Sequence, residues 1–295
     1  MSPDKIVSHT LLNGWPLFFQ LGMLISLIMT VASLNLEQWN GVGVSSLVQM
    51  SVRCAVPFLY LAFAASSLQK LFPGTFSRWL LRNRRMLGLC FTLAMAWQLV
   101  YIVILVTVYR DYYIEEVYVL RDVIEGVTGY LFLAAMTLTS FKFLRKYIKP
   151  AYWRALHWTG IYFIWAYAFT TYWWELFYYS GPDFVDYLYF YAGFIAWSLR
   201  ILAWYQLRCS MQGARFMRPC FQASARLLAS SLLVGGFVSL VTASYWREQA
   251  ETILTGYSFT ALAENYLPYW PFEPFLPLLL LASGLYLLSG IQNNM

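Results

Sequence analysis

The chain has 295 residues, of which 60% are hydrophobic, 20% aromatic and only 12% charged, with a formal net charge of +6. A soluble globular domain is about 45–50% apolar and about 25% charged, so a water-soluble enzyme is excluded and a polytopic membrane protein is expected. No G-x-G-x-x-G or P-loop string occurs, and no stretch between the apolar runs is long enough to fold as a flavin or nucleotide domain.

A membrane span needs about 20 mostly apolar residues. Eight such runs follow one another, near 13–34, 45–68, 86–109, 122–141, 154–175, 185–207, 227–246 and 271–290. The first follows Lys5 and ends in Val31-Ala32-Ser33, as a signal peptide would, but it is longer than a typical signal-peptide core and reads as an uncleaved span. The fourth starts with Asp122 and Glu125, placing negative charge at a helix N-terminus. The eighth is entered through Pro268, Pro271, Pro274 and Pro277, and proline suits the first turn of a helix. The loop before it, 247–270, carries Tyr257, Phe259, Tyr266, Tyr269 and Trp270, a composition that belongs at a membrane interface.

Charge sorts the loops. Lys70, Arg78, Arg82, Arg84 and Arg85 lie between runs two and three. Lys142, Arg145, Lys146, Lys149 and Arg154 lie between four and five, and Arg208, Arg215, Arg218 and Arg226 between six and seven. The alternate loops hold Glu37, Asp111, Glu115, Glu116, Asp183, Asp186, Glu248, Glu251 and Glu264. The positive-inside rule then places both termini in the cytoplasm of a multi-pass protein of the cell inner membrane. The basic loops are read as topology signals, with the lipid bilayer as partner and no nucleic acid. Cys54 and Cys90 fall within runs, Cys209 and Cys220 in a loop, and no C-x-x-C occurs, so neither a disulfide nor a covalently attached haem is expected.

There are two histidines, His9 and His157. Three strings stand at the basic ends of the runs: Arg84-Arg85-Met86-Leu87-Gly88-Leu89, Leu138-Thr139-Ser140 and Trp153-Arg154-Ala155-Leu156-His157. In order and spacing they resemble the ferric-reductase-like transmembrane domain, the superfamily of ferric reductases, NADPH oxidases and the haem membrane subunit of bacterial methionine-sulfoxide repair. The resemblance covers roughly residues 45–180. It implies an all-α membrane bundle of about eight transmembrane helices with a six-helix core. The expected organisation is 1–44 as N-terminus and first helix, 45–207 as the ferric-reductase-like core, and 208–295 as two added helices.

The resemblance also implies haem b held by histidines on the third and fifth helices, in two layers. His157 matches the inner-layer histidine of the fifth helix. Its partner position on the third helix is Gln98, the outer-layer position of the fifth helix is Thr170, and the outer partner falls near Tyr112. An amide or an alcohol is a poor substitute for the imidazole, thiolate, thioether or phenolate that haem iron takes. Met95, three residues before Gln98, is a chemically sensible alternative ligand, whereas His9 lies before the first span. Without haem, His157 is expected to donate to a backbone carbonyl, Gln98 or Ser140, and aromatic side chains to fill the vacated space. Arg53, eight residues into the second run, is assigned to a haem propionate or to a carboxylate such as Glu125 or Glu175.

Three functions remain open. The first is a haem-depleted membrane scaffold or partner subunit of another membrane or periplasmic protein, without activity of its own. The second is a b-type haem electron-transfer subunit using His157, and the third a lipid- or quinone-binding protein. A zinc site is not expected, with two histidines and four scattered cysteines.

Overall fold

The structure, a computed structural model, describes residues 9–177, 181–211, 219–242 and 275–291. Among these residues the chain is helical, with no strand. Eight long helices follow in order: α1 (Gly14–Leu34), α2 (Gly41–Leu71), α3 (Thr75–Thr107), α4 (Leu120–Thr139), α5 (Pro150–Phe177), α6 (Phe184–Met211), α7 (Pro219–Val241) and α8 (Phe275–Ile291). Each overlaps one expected run. Three of them, α1, α2 and α3, are long and apolar enough to cross a membrane. The others are shorter or less apolar, for visible reasons. α4 carries Arg121, Asp122 and Glu125, α5 and α6 are crowded with Trp and Tyr, and the apolar parts of α7 and α8 are short, Ala225–Val241 and Leu276–Ser289. The aromatic loop 247–270 lies outside the described residues.

Several helices start before their apolar run. α3 begins at Thr75 and takes Arg78, Arg82, Arg84 and Arg85 into its first turns, where a loop was expected. Arginine is a good helix former, and a helix end clear of the hydrocarbon tolerates its charge. For the same reason Cys209 and Cys220, expected in a loop, belong to α6 and α7. Pro277 stands in the first turn of α8, as its ring requires.

The chain divides into two compact units, Met1–Ala168 and Phe169–Met295. In the first, α2 and α3 form the main pair. Ala62 and Ala65 on α2 let Leu80 and Leu87 of α3 approach, and Leu21, Phe58, Leu68 and Trp79 close around them. Asn40 caps α2 by accepting from Gly43 N at 2.8 Å.

α1 is tied to α3 by polar contacts. Asn83 is 1% exposed. Its Oδ1 accepts from Gly14 N at 2.9 Å, and its Nδ2 donates to Asn13 Oδ1 at 3.0 Å and to Trp79 O at 3.1 Å. Gly14 begins the helix at φ +62°, a conformation that a side chain would strain. Trp79 Nε1 donates to Leu12 O at 2.8 Å, and Ser33 Oγ and Tyr101 Oη lie 2.7 Å apart further along. Away from α3, α1 leaves Phe19, Met23, Leu24, Leu27 and Leu34 exposed, a surface suited to lipid.

α5 stacks Trp165 on Phe63 of α2, with ring centroids 5.4 Å apart and planes 11° from parallel. It meets α4 at Gly160, where an added Cβ would collide with Met136 and Phe132. In the second unit, Phe169 stacks on Phe190 at 5.3 Å, and Trp204 of α6 on Tyr286 of α8 at 6.0 Å. α7 and α8 cross at glycines. Gly236 lies against Leu281 and the Pro277 carbonyl, and Gly284 against Leu233 and the Ala229 carbonyl. Such close backbone approach is the usual way membrane helices gain packing energy.

Two stability outcomes follow. Asn83→Leu strands the Gly14 N–H and the Asn13 side-chain oxygen, and should cost about 1–3 kcal/mol in a reversible unfolding titration in mixed micelles. Gly284→Val places a side chain against backbone and should lower the melting temperature, at a cost of about 1–3 kcal/mol. Gly235→Ala, which meets nothing within 4 Å, should leave it unchanged or raised.

Candidate functional site

The strings at 84–89, 138–140 and 153–157 all lie in the first unit. Trp153 and His157 stand one turn apart on α5, and their rings lie 4.4 Å apart. Both reach the end of α4: Trp153 Nε1 donates to Thr139 O at 3.1 Å, and His157 Nε2 lies 3.0 Å from Thr139 Oγ1. Arg145 covers the Trp153 ring at 4.2 Å, and Arg84 and Arg145 are both within electrostatic reach of His157. Arg85 stands over the Phe141 ring at 5.3 Å and the Trp15 ring at 5.7 Å.

Proton bookkeeping assigns the tautomer. A threonine hydroxyl has one hydrogen, and that of Thr139 is directed to Ala135 O at 2.7 Å. Thr139 Oγ1 therefore accepts, and His157 Nε2 carries the hydrogen and donates. Of the side chains expected to receive His157, neither Gln98 nor Ser140 does, and Thr139, next to Ser140 in sequence, stands there instead. Ser140 turns its hydroxyl back to Met136 O at 2.7 Å, and Gln98 is engaged elsewhere. One residue along a helix is about 100° of rotation, enough to decide which hydroxyl faces α5.

Gln98 meets α4 at Tyr130. The Tyr130 hydroxyl hydrogen is shared between Gln98 Oε1 at 2.7 Å and Met95 O at 3.1 Å. Tyr130 and Thr139 are nine residues apart on one helix, about 14 Å of rise. Gln98 and His157 are thus held at different levels and do not form a facing pair. Tyr112 packs its ring against Gly41 at the start of α2. Arg53 is half-buried in α2 and engaged with neighbouring residues, and Thr170 is half-buried and engaged in the part of α5 that belongs to the second unit. His9 turns its Nδ1 to Leu11 N at 3.3 Å, capping the short turn before α1.

A cavity of about 360 Å³ lies in the first unit, between α3 and α4. Phe91, Met95, Gln98 and Leu99 line it from α3, and Asp122, Gly126, Tyr130 and Leu133 from α4. Ser45 of α2 and Ile164 and Tyr167 of α5 form its back. Tyr113–Val117, a single π-helical turn closed by Tyr118 N to Tyr113 O at 2.8 Å, stands at one end. This cavity lies at Gln98, and His157 is not among its lining residues. Sequence reasoning marked Gln98 but missed Tyr130. The only signal for it was a tyrosine in the apolar part of a span, where a hydroxyl needs a partner. Among the described residues, no group of three or more His, Cys, Asp or Glu side chains forms a metal site.

No family model matches the chain, and neither a curated protein nor a solved structure matches it.

Thr139→Val keeps the shape of the side chain and removes the acceptor for His157. It should destabilise the protein by about 0.5–1.5 kcal/mol. A double-mutant cycle with His157→Phe should return a coupling energy of similar size, read from unfolding in mixed micelles. Additive effects would mean that the two side chains are not bonded.

Proposed function

We propose that the chain is a multi-pass membrane protein on a ferric-reductase-like frame that has given up haem, and that it serves as a membrane scaffold or partner subunit without redox turnover. In this reading all eight long helices cross the inner membrane, both termini are cytoplasmic, and the partner is another membrane or periplasmic protein. The all-helical chain, with three helices long and apolar enough to span a bilayer, is compatible with it.

The observation that carries the proposal is the commitment of His157. Its Nε2 is spent as a donor to Thr139, and its ring lies against Trp153. An axial ligand offers iron a nitrogen lone pair, so ligation through Nε2 would require the Thr139 bond to break and the tautomer to change. Gln98, the counterpart in the resemblance, is bonded to Tyr130 at another level of the bundle. Thr170 and Tyr112 offer only hydroxyls. The donor set does not fit a bis-ligated haem. The frame reading is supported by contacts among the three strings: Thr139 meets Trp153 and His157, and Arg84 is within electrostatic reach of His157.

The competing reading is electron transfer through haem on His157. Protein purified in mild detergent should show no Soret band, and none should appear on dithionite reduction. Sharp reduced α and β bands that His157→Ala abolishes would overturn the proposal in favour of an electron carrier.

A further inference from the structure

Arg85 holds its charge where one helix begins and another ends. It follows Asn83 on α3 by two residues, and Asn83 Oδ1 accepts from Gly14 N, the first residue of α1. Its Cζ stands 5.7 Å from the ring of Trp15, at the start of α1. It stands 5.3 Å from the ring of Phe141, just past the end of α4. The two rings are themselves stacked at 6.5 Å. In a bilayer, helix ends marked by tryptophan belong to the level of the lipid head groups, where a long basic side chain is tolerated.

The rings position this cation but leave its hydrogens without acceptors. A guanidinium carries five N–H donors in one plane, and an aromatic face attracts the charge without replacing an acceptor oxygen. Arg85 Nε is shut off from solvent and makes no hydrogen bond. No hydrogen bond or ion pair of Arg85 occurs among the described residues. A charged donor left in that state is costly. The surrounding helices supply no counter-charge. α1, α2 and α3 contain no Asp or Glu, and neither does 138–149, which carries Lys142, Arg145, Lys146 and Lys149. Glu37 follows α1, Asp111, Glu115 and Glu116 follow α3, and Asp122 and Glu125 open α4, all at the opposite helix ends. An apolar ridge leads away from the cation. Trp15, Phe19, Met23 and Leu27 are exposed at four-residue spacing along α1. They cover about 18 Å of rise, against about 15 Å for half of a hydrocarbon core.

We propose that Arg85, between Trp15 and Phe141, is the head-group site for an anionic phospholipid. The lipid phosphodiester accepts from the Arg85 guanidinium, and an acyl chain lies along Phe19, Met23 and Leu27. A phosphate matches the planar donor fork of arginine and brings the negative charge that the helices lack. Charge complementarity selects an anionic head over a zwitterionic one. Arg84 precedes Arg85 and exposed Lys142 follows Phe141, so a head-group ammonium would meet cations and no carboxylate of these segments. The ridge on α1 selects a lipid over a soluble phosphate, because it offers an acyl chain a continuous apolar surface. The proposal rests on the membrane reading of the chain and not on the loss of haem.

The test is native mass spectrometry of the full chain in mild detergent with palmitoyl-oleoyl phosphatidylglycerol or phosphatidylethanolamine, which share chains and phosphate and differ in net charge. Phosphatidylglycerol should be retained about fivefold better, the scale of one basic side chain at a charged membrane surface. Arg85→Gln should lower its retention about fivefold. Lys142→Gln, at an exposed position, should lower it about twofold and keeps the test open if Arg85→Gln fails to fold. Arg110→Gln removes an exposed charge just past the other end of α3 and should leave retention unchanged. A large excess of sodium phosphate should not displace the lipid, and displacement would assign the site to a soluble anion and overturn the proposal. So would equal retention of the two lipids, retention unaffected by Arg85→Gln and Lys142→Gln, or an equal loss with Arg110→Gln. No adduct with either lipid, as a site for an acidic protein would give, would overturn it too. A chain that stays soluble without detergent would overturn the membrane reading as well, whereas haem bands would overturn only the scaffold reading.

Discussion

The hydroxyl of Thr139 has one hydrogen to give and one acceptor role left, and the arrangement of the first unit around α4 and α5 turns on how the two are spent. The hydrogen returns to Ala135 in the same helix, and the oxygen receives His157 from the next. The Thr139 carbonyl, freed of an intrahelical partner at the end of α4, receives Trp153. One residue at a helix terminus thus binds two side chains of α5. In an apolar medium such bonds have no water to compete with, and leaving their groups unmade would cost more than their net worth in water.

That node also bears on chemistry. Histidine is versatile because either nitrogen can donate while the other accepts. Fixing Nε2 as a donor ties the side chain to the end of α4, and the Trp153 ring lies beside it at 4.4 Å. The same economy governs Gln98. Its oxygen is drawn to Tyr130 on α4, well along the helix from His157, so the two positions that the resemblance would pair are held apart by their own hydrogen bonds. What remains at Gln98 is an amide nitrogen with no hydrogen-bond partner among the described residues.

The helices themselves were legible in the sequence because apolar runs of span length are hard to use otherwise. Their ends were less so. Hydropathy reports where hydrocarbon begins, whereas a helix continues as long as residues favour it, which is why α3 runs back through Arg78, Arg82, Arg84 and Arg85 to Thr75. At the site, the sequence expected His157 to donate to a backbone carbonyl, Gln98 or Ser140, and its Nε2 lies against the Thr139 hydroxyl. Spacing along a chain resolves a helical turn, and choosing between adjacent hydroxyls needs the rotational phase of two helices at once. The cavity was not legible at all, because it is a property of three or four helices together. Its one trace, Gly126, reads in sequence like any other glycine of a membrane helix.

Gly126 and Gly160 separate two uses of the same residue. At Gly160 the absent side chain is replaced by Met136 and Phe132, so the contact is dense and a larger residue would force the helices apart. At Gly126 nothing replaces it. Protein interiors avoid voids because lining atoms lose their dispersion partners, and alanine at position 126 would both fill space and favour the helix. The same residue type thus marks a dense crossing of α4 and α5 at Gly160 and open space beside α4 at Gly126.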